Sequence, residues 1–223
     1  NVTTGSYNVA IGRAALITNT TGGNNTAIGT DALLVNTTAS ANTAVGYQSL
    51  TANTTGSANT SIGLSSLGLN TTGVQNTAVG YYANYGNVSG NYNVTMGMQA
   101  GRYTTGSNNV ALGYQSLFGL SGQSSASDNT AVGYQSLFTN TTGTANSATG
   151  FLALKANTSG SYNAAFGTKS LQANTTGANN TAVGNDSGQA NTTGTENTSV
   201  GAGSFYYNST GNYNTAIGRL ALF

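Results

Sequence analysis

The side chains that could carry out acid–base or nucleophilic chemistry are few and widely separated. The chain contains no histidine or cysteine, and its only carboxylates are Asp31, Asp128, Asp186 and Glu196. Pairs of carboxylates that hydrolyse glycosides need a separation of about 5–10 Å, and histidine, the most frequent general base and the usual activator of a serine or cysteine nucleophile, is absent. The sequence therefore predicts no catalytic residue, no metal site and no cofactor, and we expect the protein not to be an enzyme.

Charge and hydropathy exclude two classes of partner. Charged residues make up 4% of the 223 residues, and the net charge is +1. Binding to nucleic acid needs a dense basic surface, which five lysines and arginines do not provide. No apolar run approaches the roughly 18 residues of a membrane span. We therefore expect neither nucleic acid nor a membrane span. Because the chain does not begin with methionine, we expect it to be a processed product or part of a longer array.

One five-residue motif, Asn42-Thr43-Ala44-Val45-Gly46, organises the chain because it occurs thirteen times. Its copies are 17 residues apart, except for one step of 16 and one of 20. A fixed period this short indicates a solenoid. The motif asparagines are Asn8, Asn25, Asn42, Asn59, Asn76, Asn93, Asn109, Asn129, Asn146, Asn163, Asn180, Asn197 and Asn214.

The positions of the repeat are numbered here from the motif asparagine, which is position 0. Position 2 is small, position 3 is apolar in twelve copies, position 4 is always glycine, position 8 is usually leucine, and positions 11–14 usually read Asn-Thr-Thr-Gly. Short β-branched runs between asparagine and glycine are typical of strands bounded by turns. We expect a strand at 0–3, a corner at the glycine with positive φ, a second strand at 6–9, and a return turn. The apolar side chains at positions 3 and 8 should face each other inside.

The pattern thus predicts an all-β fold, a parallel β-solenoid or β-roll of about thirteen 17-residue coils. We expect one continuous array over residues 1–223, with irregular coils around 84–128. One coil there is a residue short and the next has three extra residues, which predicts a bulged loop. A tolerated surface insertion and a dedicated binding loop are both open.

Asparagine at position 0 is unexpected because strands disfavour it. We expect the thirteen amides to form a continuous ladder at a corner, each one bonded to the next coil. Solvent should satisfy the asparagines at position 11, so replacing Asn76 should cost more stability than replacing Asn70.

Two further rows are candidates for contacts with other molecules. An aromatic row at position 5 could contact a sister subunit or a sugar, or could only stiffen the coils by stacking. The aromatic residues are Tyr47, Tyr81, Tyr114, Tyr134 and Phe151. The row at position 11 carries Asn-x-Ser/Thr sequences, which are candidate glycosylation sites or simply turn residues. The asparagines concerned are Asn19, Asn36, Asn53, Asn70, Asn87, Asn140, Asn157, Asn174, Asn191 and Asn208.

Two families resemble this repeat. The segment from Ala44 to Ser49 resembles the A-[IVL]-G-x-x-[AS] element of trimeric autotransporter adhesin heads, and the segment from Asn42 to Gly56 resembles repeats of phage tail-fibre and related tail-fibre-domain proteins. The resemblance implies a left-handed parallel β-roll, often trimeric, in a surface-exposed fibre with an adhesive or spacer role. This repeat is longer than the adhesin repeat and adds the leucine at position 8, which could close the core within one chain.

The leading hypothesis is a structural subunit of an extracellular or virion fibre. Because the two ends of the chain share one phase of the repeat, copies could stack head to tail, and the resemblance implies a homotrimer instead. A trimeric adhesin head that binds host or matrix ligands is one alternative. The other is an ice-binding solenoid, because Thr26, Thr43, Thr60 and Thr77 form a regular row and the coils also resemble some plant ice-binding β-rolls. The expected partners are therefore copies of the chain itself and, if the sequons are used, glycans.

Overall fold

The computed structural model describes residues 4–223, which fall into two compact units, Asn1–Asn108 and Asn109–Phe223. Both units consist of coils that contain one short strand and a series of turns, and residues 4–223 contain no helix. The first unit contains β1 (Val9–Ile11), β2 (Thr26–Ile28), β3 (Thr43–Val45), β4 (Thr60–Ile62), β5 (Thr77–Val79) and β6 (Val94–Met96). The second unit contains β7 (Val110–Leu112), β8 (Thr130–Val132), β9 (Ser147–Thr149), β10 (Ala164–Phe166), β11 (Thr181–Val183), β12 (Thr198–Val200) and β13 (Thr215–Ile217).

Within each unit every strand pairs in parallel with the next one along the chain. The register matches equivalent repeat positions, so that Thr43 pairs with Thr60 and Val45 with Ile62. The same register holds from β7 and β8 through to β12 and β13. The prediction of an all-β parallel β-solenoid with coils of about 17 residues is confirmed. The prediction of a single array over residues 1–223 stays a prediction.

The interior of each coil is narrow and only partly apolar. Leu50 at position 8 is buried, and the side chain that faces inward from the strand is Ala44 at position 2. The leucine row is completed by Leu16, Leu33, Leu67, Leu117, Leu137, Leu154 and Leu171, with Phe205 in the same position of a later coil. Because the leucine row is buried within one chain, the core closes without a second subunit.

The expectation that positions 3 and 8 face each other inside is wrong. Successive side chains of a strand point to opposite faces, so a buried Ala44 directs Val45 outward. Ile62 at the same position is 41% exposed. The interior holds the leucine at position 8 and small residues at positions 2 and 7, such as Ala44 and Ser49, and the larger strand residue therefore lies outside.

The corners are built from residues with positive φ. Gly46 at position 4 has a φ of 129°, as expected for a glycine-only corner. Its close approach to the next coil is a second constraint, because a Cβ there would lie 2.7 Å from the carbonyl oxygen of Gly63. The expectation of a second strand at positions 6–9 is wrong. Gln48 and Leu50 both have φ near +50°, which breaks the extended conformation and makes this side of the coil a series of turns.

The irregular region lacks the leucine of the regular coils. Position 8 is Asn84 in one coil and Gly101 in the next, and both are buried. A Cβ at Gly101 would lie 2.8 Å from the Thr95 Cγ2, so the threonine methyl group fills the space that leucine fills elsewhere.

The three extra residues form a turn at 121–123 that folds back onto its own coil. The backbone N–H of Leu120 donates to the Ser124 Oγ at 2.6 Å, and Ser124 is buried. The Asn109 Nδ2 donates to the Ala126 carbonyl at 2.9 Å. The insertion is thus tied down at both ends, and the Leu120 side chain at its first end is exposed.

Candidate interaction surfaces

The asparagines at position 0, here called the motif ladder, link each coil to the next in both units. The Asn42 Oδ1 accepts the backbone N–H of Asn59 at 2.9 Å, and the Asn59 Oδ1 accepts that of Asn76 at 2.9 Å. In the second unit the Asn146 Oδ1 accepts the backbone N–H of Asn163 at 2.9 Å. The side chain thus takes the place of a backbone acceptor at the start of every strand, which explains why only asparagine occurs there.

The asparagines at position 11, here called the turn ladder, form a second row inside the coil. Asn53 and Asn70 are completely buried. The Asn70 Nδ2 donates to the Asn53 Oδ1 at 2.9 Å, and the Asn53 Nδ2 donates to the Asn36 Oδ1 at 3.0 Å. The amides therefore hydrogen-bond directly from coil to coil, and solvent does not reach them.

The two ladders meet at one carbonyl group in each coil. The Gly73 carbonyl oxygen accepts the Asn59 Nδ2 at 2.9 Å and the Asn70 Nδ2 at 3.1 Å. A buried amide must find partners for both its donor and its acceptor, and this shared oxygen supplies one partner to each row. Half of the interior is therefore a hydrogen-bonded polar network, and the leucine and alanine rows form the other half.

The expectation that solvent satisfies the asparagines of the turn ladder is wrong, because nine of its ten amides are buried: Asn19, Asn36, Asn53, Asn70, Asn87, Asn140, Asn157, Asn174 and Asn191. The tenth, Asn208, is half-buried. An N-linked sugar replaces a hydrogen on Nδ2, and the Nδ2 of residues such as Asn53 donates to two interior acceptors. The fold therefore does not present these nine side chains as glycosylation sites.

In each unit the outward side chains of the strands form a regular surface, here called the outer face. It consists of positions 1 and 3, which carry no charged residue in any of the thirteen coils. Position 3 supplies exposed apolar groups such as Ile28, Ile62 and Phe166, and position 1 supplies half-buried threonines such as Thr43 and Thr60. Exposed apolar patches of this kind mark contacts with other molecules.

The aromatic row at position 5 is exposed, and part of it stacks within the chain. The rings of Tyr114, Tyr134 and Phe151 lie parallel at centroid distances of 5.3 Å. Tyr81 instead packs edge to face on Tyr82 at 4.5 Å, and Tyr47 is 49% exposed. Because the three stacked rings cover each other's faces, they present mainly their edges to a partner, which is unfavourable for stacking against a sugar ring.

The four carboxylates form no cluster: Asp31 is buried, Asp186 is half-buried, and Asp128 and Glu196 are exposed. Asp31 pairs with Arg13 at 3.3 Å, and Asp128 and Glu196 lie four coils apart in the second unit, about 19 Å at the strand spacing. Within residues 4–223 no group of three potential ligands could hold a metal ion, and that part of the chain contains no pocket. The same residues include no helix that is long and apolar enough to cross a membrane.

Sequence reasoning missed a row of hydroxyl groups at position 13, here called the hydroxyl row. Its members are exposed, and their side chains make no hydrogen bond to any residue of 4–223. They are Thr21, Thr38, Thr55, Thr72 and Ser89 in the first unit, and Thr142, Ser159, Thr176, Thr193 and Thr210 in the second. The available signal was that this position contains only threonine or serine.

Comparisons with protein-family models, with curated proteins and with solved structures find no significant match. The candidate surfaces are therefore interpreted from their own geometry.

Proposed function

We propose that the chain is a non-enzymatic structural subunit of an extracellular or virion fibre. The observation that carries this proposal is the bonding between coils, because two rows of buried asparagines fasten each coil to the next. In Asn42, for example, the Oδ1 accepts a bond from the following coil and the Nδ2 donates to Gly56 of its own coil. A set of similar, directly bonded layers is suited to bearing load along its axis, and residues 4–223 contain no pocket that could enclose a substrate.

The outer face supports side-by-side association of copies as the way this fibre is assembled. A second copy is the occupant that fits best, because the face is uncharged and its rows repeat at the strand spacing of about 4.8 Å, which only a partner of the same period matches along its whole length. Burying apolar groups such as Ile62 contributes about 25 cal/mol per Å² removed from water. The resemblance to adhesin heads and tail fibres is in keeping with a homotrimer, and head-to-tail stacking is the other arrangement that the repeat allows.

Sedimentation velocity over a range of concentrations tests the self-association. We expect the double variant Ile62→Thr/Phe166→Thr to dissociate at concentrations where the unmodified protein is associated. Threonine occurs naturally at this position as Thr149, so the variant should fold. The matched control is Leu69→Thr, which removes a side chain of the same exposure, 42%, away from the outer face.

Negative-stain images then separate the two arrangements, because lateral association widens the particles whereas head-to-tail stacking lengthens them. An unmodified protein that stays monomeric at every concentration refutes the fibre proposal.

Ice binding is the second candidate, and the outward orientation of position 1 favours it. Thr43 and Thr60 lie on the outer face beside the apolar groups at position 3, so methyl and hydroxyl groups are arranged on one regular surface. An assay of ice recrystallisation tests this candidate. We expect Thr43→Leu/Thr60→Leu to abolish any inhibition and Thr55→Leu, outside the face, to leave it unchanged. No inhibition by the monomeric protein rules the candidate out.

A further inference from the structure

Every residue of the hydroxyl row carries a hydroxyl group, although no contact within the fold requires one. Position 16, the residue before each motif, is just as exposed and contains residues as different as Ala58, Tyr92 and Glu196. The repeats have therefore diverged freely where the surface allows it. Position 13 nevertheless contains threonine or serine in all ten coils that have the regular turn. Ser89 and Ser159 keep the hydroxyl and lose the methyl group, so the hydroxyl is the feature that is retained.

At the two preceding positions of the repeat, by contrast, the side chain has a structural role within the fold. The Thr54 Oγ1 at position 12 donates to the carbonyl of Thr71 in the next coil at 3.0 Å, and Asn53 at position 11 belongs to the turn ladder. The Thr55 side chain at position 13 makes no such bond. Turn geometry does not require a hydroxyl either, because asparagine, aspartate and glycine serve equally well in turns. A retained hydroxyl that faces only solvent points to a reaction with, or binding to, a molecule outside the chain.

We propose that the hydroxyl row is a set of acceptor sites for O-linked glycosylation by a separate glycosyltransferase that uses a nucleotide-activated sugar. The Thr or Ser Oγ attacks the anomeric carbon of the donor, the bond from that carbon to the phosphate oxygen breaks, and the nucleoside diphosphate leaves. The hydroxyl proton passes to a base of the transferase. Serine and threonine are both competent in this step, which matches the occurrence of both at position 13.

The spacing of the row sets the size of the sugar. Acceptors in neighbouring coils of one unit are about 4.8 Å apart, the distance between strands. Branched glycans on adjacent acceptors would overlap, whereas mono- or disaccharides directed outward fit. The row also bears on the Asn-x-Ser/Thr sequences, because the asparagine is buried in nine of the ten and the exposed residue is the serine or threonine that completes the sequence. The inference is independent of the fibre proposal and of ice binding, since it concerns a different row.

Mass spectrometry of the protein isolated from the cells that make it tests the assignment. Mild alkali releases O-linked sugars by β-elimination and leaves N-linked sugars in place, so it separates the two linkages. We expect the mass of each modified residue to increase by one or two sugar units, which alkali should remove. Fragmentation by electron transfer should locate these sugars on Thr55, Thr72 and their equivalents.

Variants made in the same cells complete the test. We expect Thr55→Val/Thr72→Val to lose up to two increments, because valine keeps the shape of threonine without its hydroxyl. Thr51→Val, which removes a hydroxyl at position 9, should lose none. An unmodified protein, sugars that resist alkali, or sugars located on position 11 or 12 would each overturn the proposal.

Discussion

The shared carbonyl of Gly73 allows the contributions of the two asparagine ladders to be compared. Asn59→Ala removes the acceptor of the Asn76 backbone N–H, while Gly73 keeps the bond from Asn70. One buried donor without a partner costs about 1–3 kcal/mol, and the lost bond to Gly73 adds about 1 kcal/mol. We expect the free energy of unfolding to fall by about 2–4 kcal/mol on these terms.

Removing the partner amide from the turn ladder should cost about the same. Asn70→Ala removes the donor to the Asn53 Oδ1, while Gly73 keeps the bond from Asn59. One buried acceptor is then unsatisfied, so the expected loss is again about 2–4 kcal/mol. The double variant also leaves the Gly73 oxygen without either donor. Its loss should exceed the sum of the two single losses by about 1–3 kcal/mol.

Urea denaturation followed by circular dichroism measures the three losses, and amide hydrogen exchange at Asn76 reports the orphaned N–H directly. The control is Thr55→Ala, a change at an exposed residue whose side chain makes no hydrogen bond within residues 4–223, which should alter stability by no more than about 0.5 kcal/mol. If Asn70→Ala costs no more than this control, the turn ladder is not a buried network. If the double variant is simply additive, the two ladders are not joined at Gly73.

Four further variants test separate features of the coil by the same denaturation measurement. Asn59→Asp should be most stable below about pH 4 and should lose stability as the pH rises. The reason is that the carboxylate faces the shared carbonyl, so its pKa in the folded state exceeds the unfolded value of about 3.9. The absence of this pH dependence would contradict the role of the Asn59 Nδ2 as a donor. Gly46→Ala should cost about 2–4 kcal/mol, because the φ of 129° strains any side chain and its Cβ would meet the Gly63 carbonyl; a neutral effect would show that the corner can relax. Ala58→Asn should add about 0.5–1 kcal/mol, because φ is +59° there and asparagine tolerates this conformation better than alanine; a loss would indicate that the side chain at this position has a packing role. Asn84→Leu should add about 1–3 kcal/mol by removing a buried Nδ2 that has no partner; destabilisation would mean that the coil starting at Asn76 has no space for leucine.

The sequence was sufficient to predict the coil but not which way its side chains point. The 17-residue period, the strand at the motif and the positive φ of Gly46 all follow from residue types and spacing. The sequence did not show which side of the strand faces inward, because Ala44 and Val45 are both apolar. With only 4% charged residues, the outward positions are not marked by charge either. The deciding factor is the width of the interior, which accepts Leu50 from one side and only a small residue from the other.

The turn ladder was misassigned for a related reason. Asn-Thr-Thr-Gly has the composition of a solvated turn, and asparagine is usually found at the surface. In a stacked solenoid, however, each asparagine lies directly above the same residue in the next coil, so Asn53 and Asn70 can satisfy each other. Burial of a polar group costs little when its hydrogen bonds are made. The repeat itself therefore allows an interior that a non-repeating sequence of this composition could not form.

A repeated residue can be required by contacts within the fold or by contacts with another molecule. Only repetition of the second kind indicates where this protein functions. Positions 0, 2, 8, 11 and 14 are buried in the regular coils and connect or fill them, so their repetition needs no partner. Positions 9 and 16 face solvent and vary, as Gln172 and Glu196 illustrate. Positions 3 and 13 face solvent and do not vary freely, since one is apolar in twelve coils and the other has a hydroxyl group in all ten coils that have the regular turn. Solvent alone does not favour an apolar row or require a hydroxyl row. The contacts that the protein makes are therefore expected at these two rows, and variants there should alter assembly or modification while leaving the stability of the coil nearly unchanged.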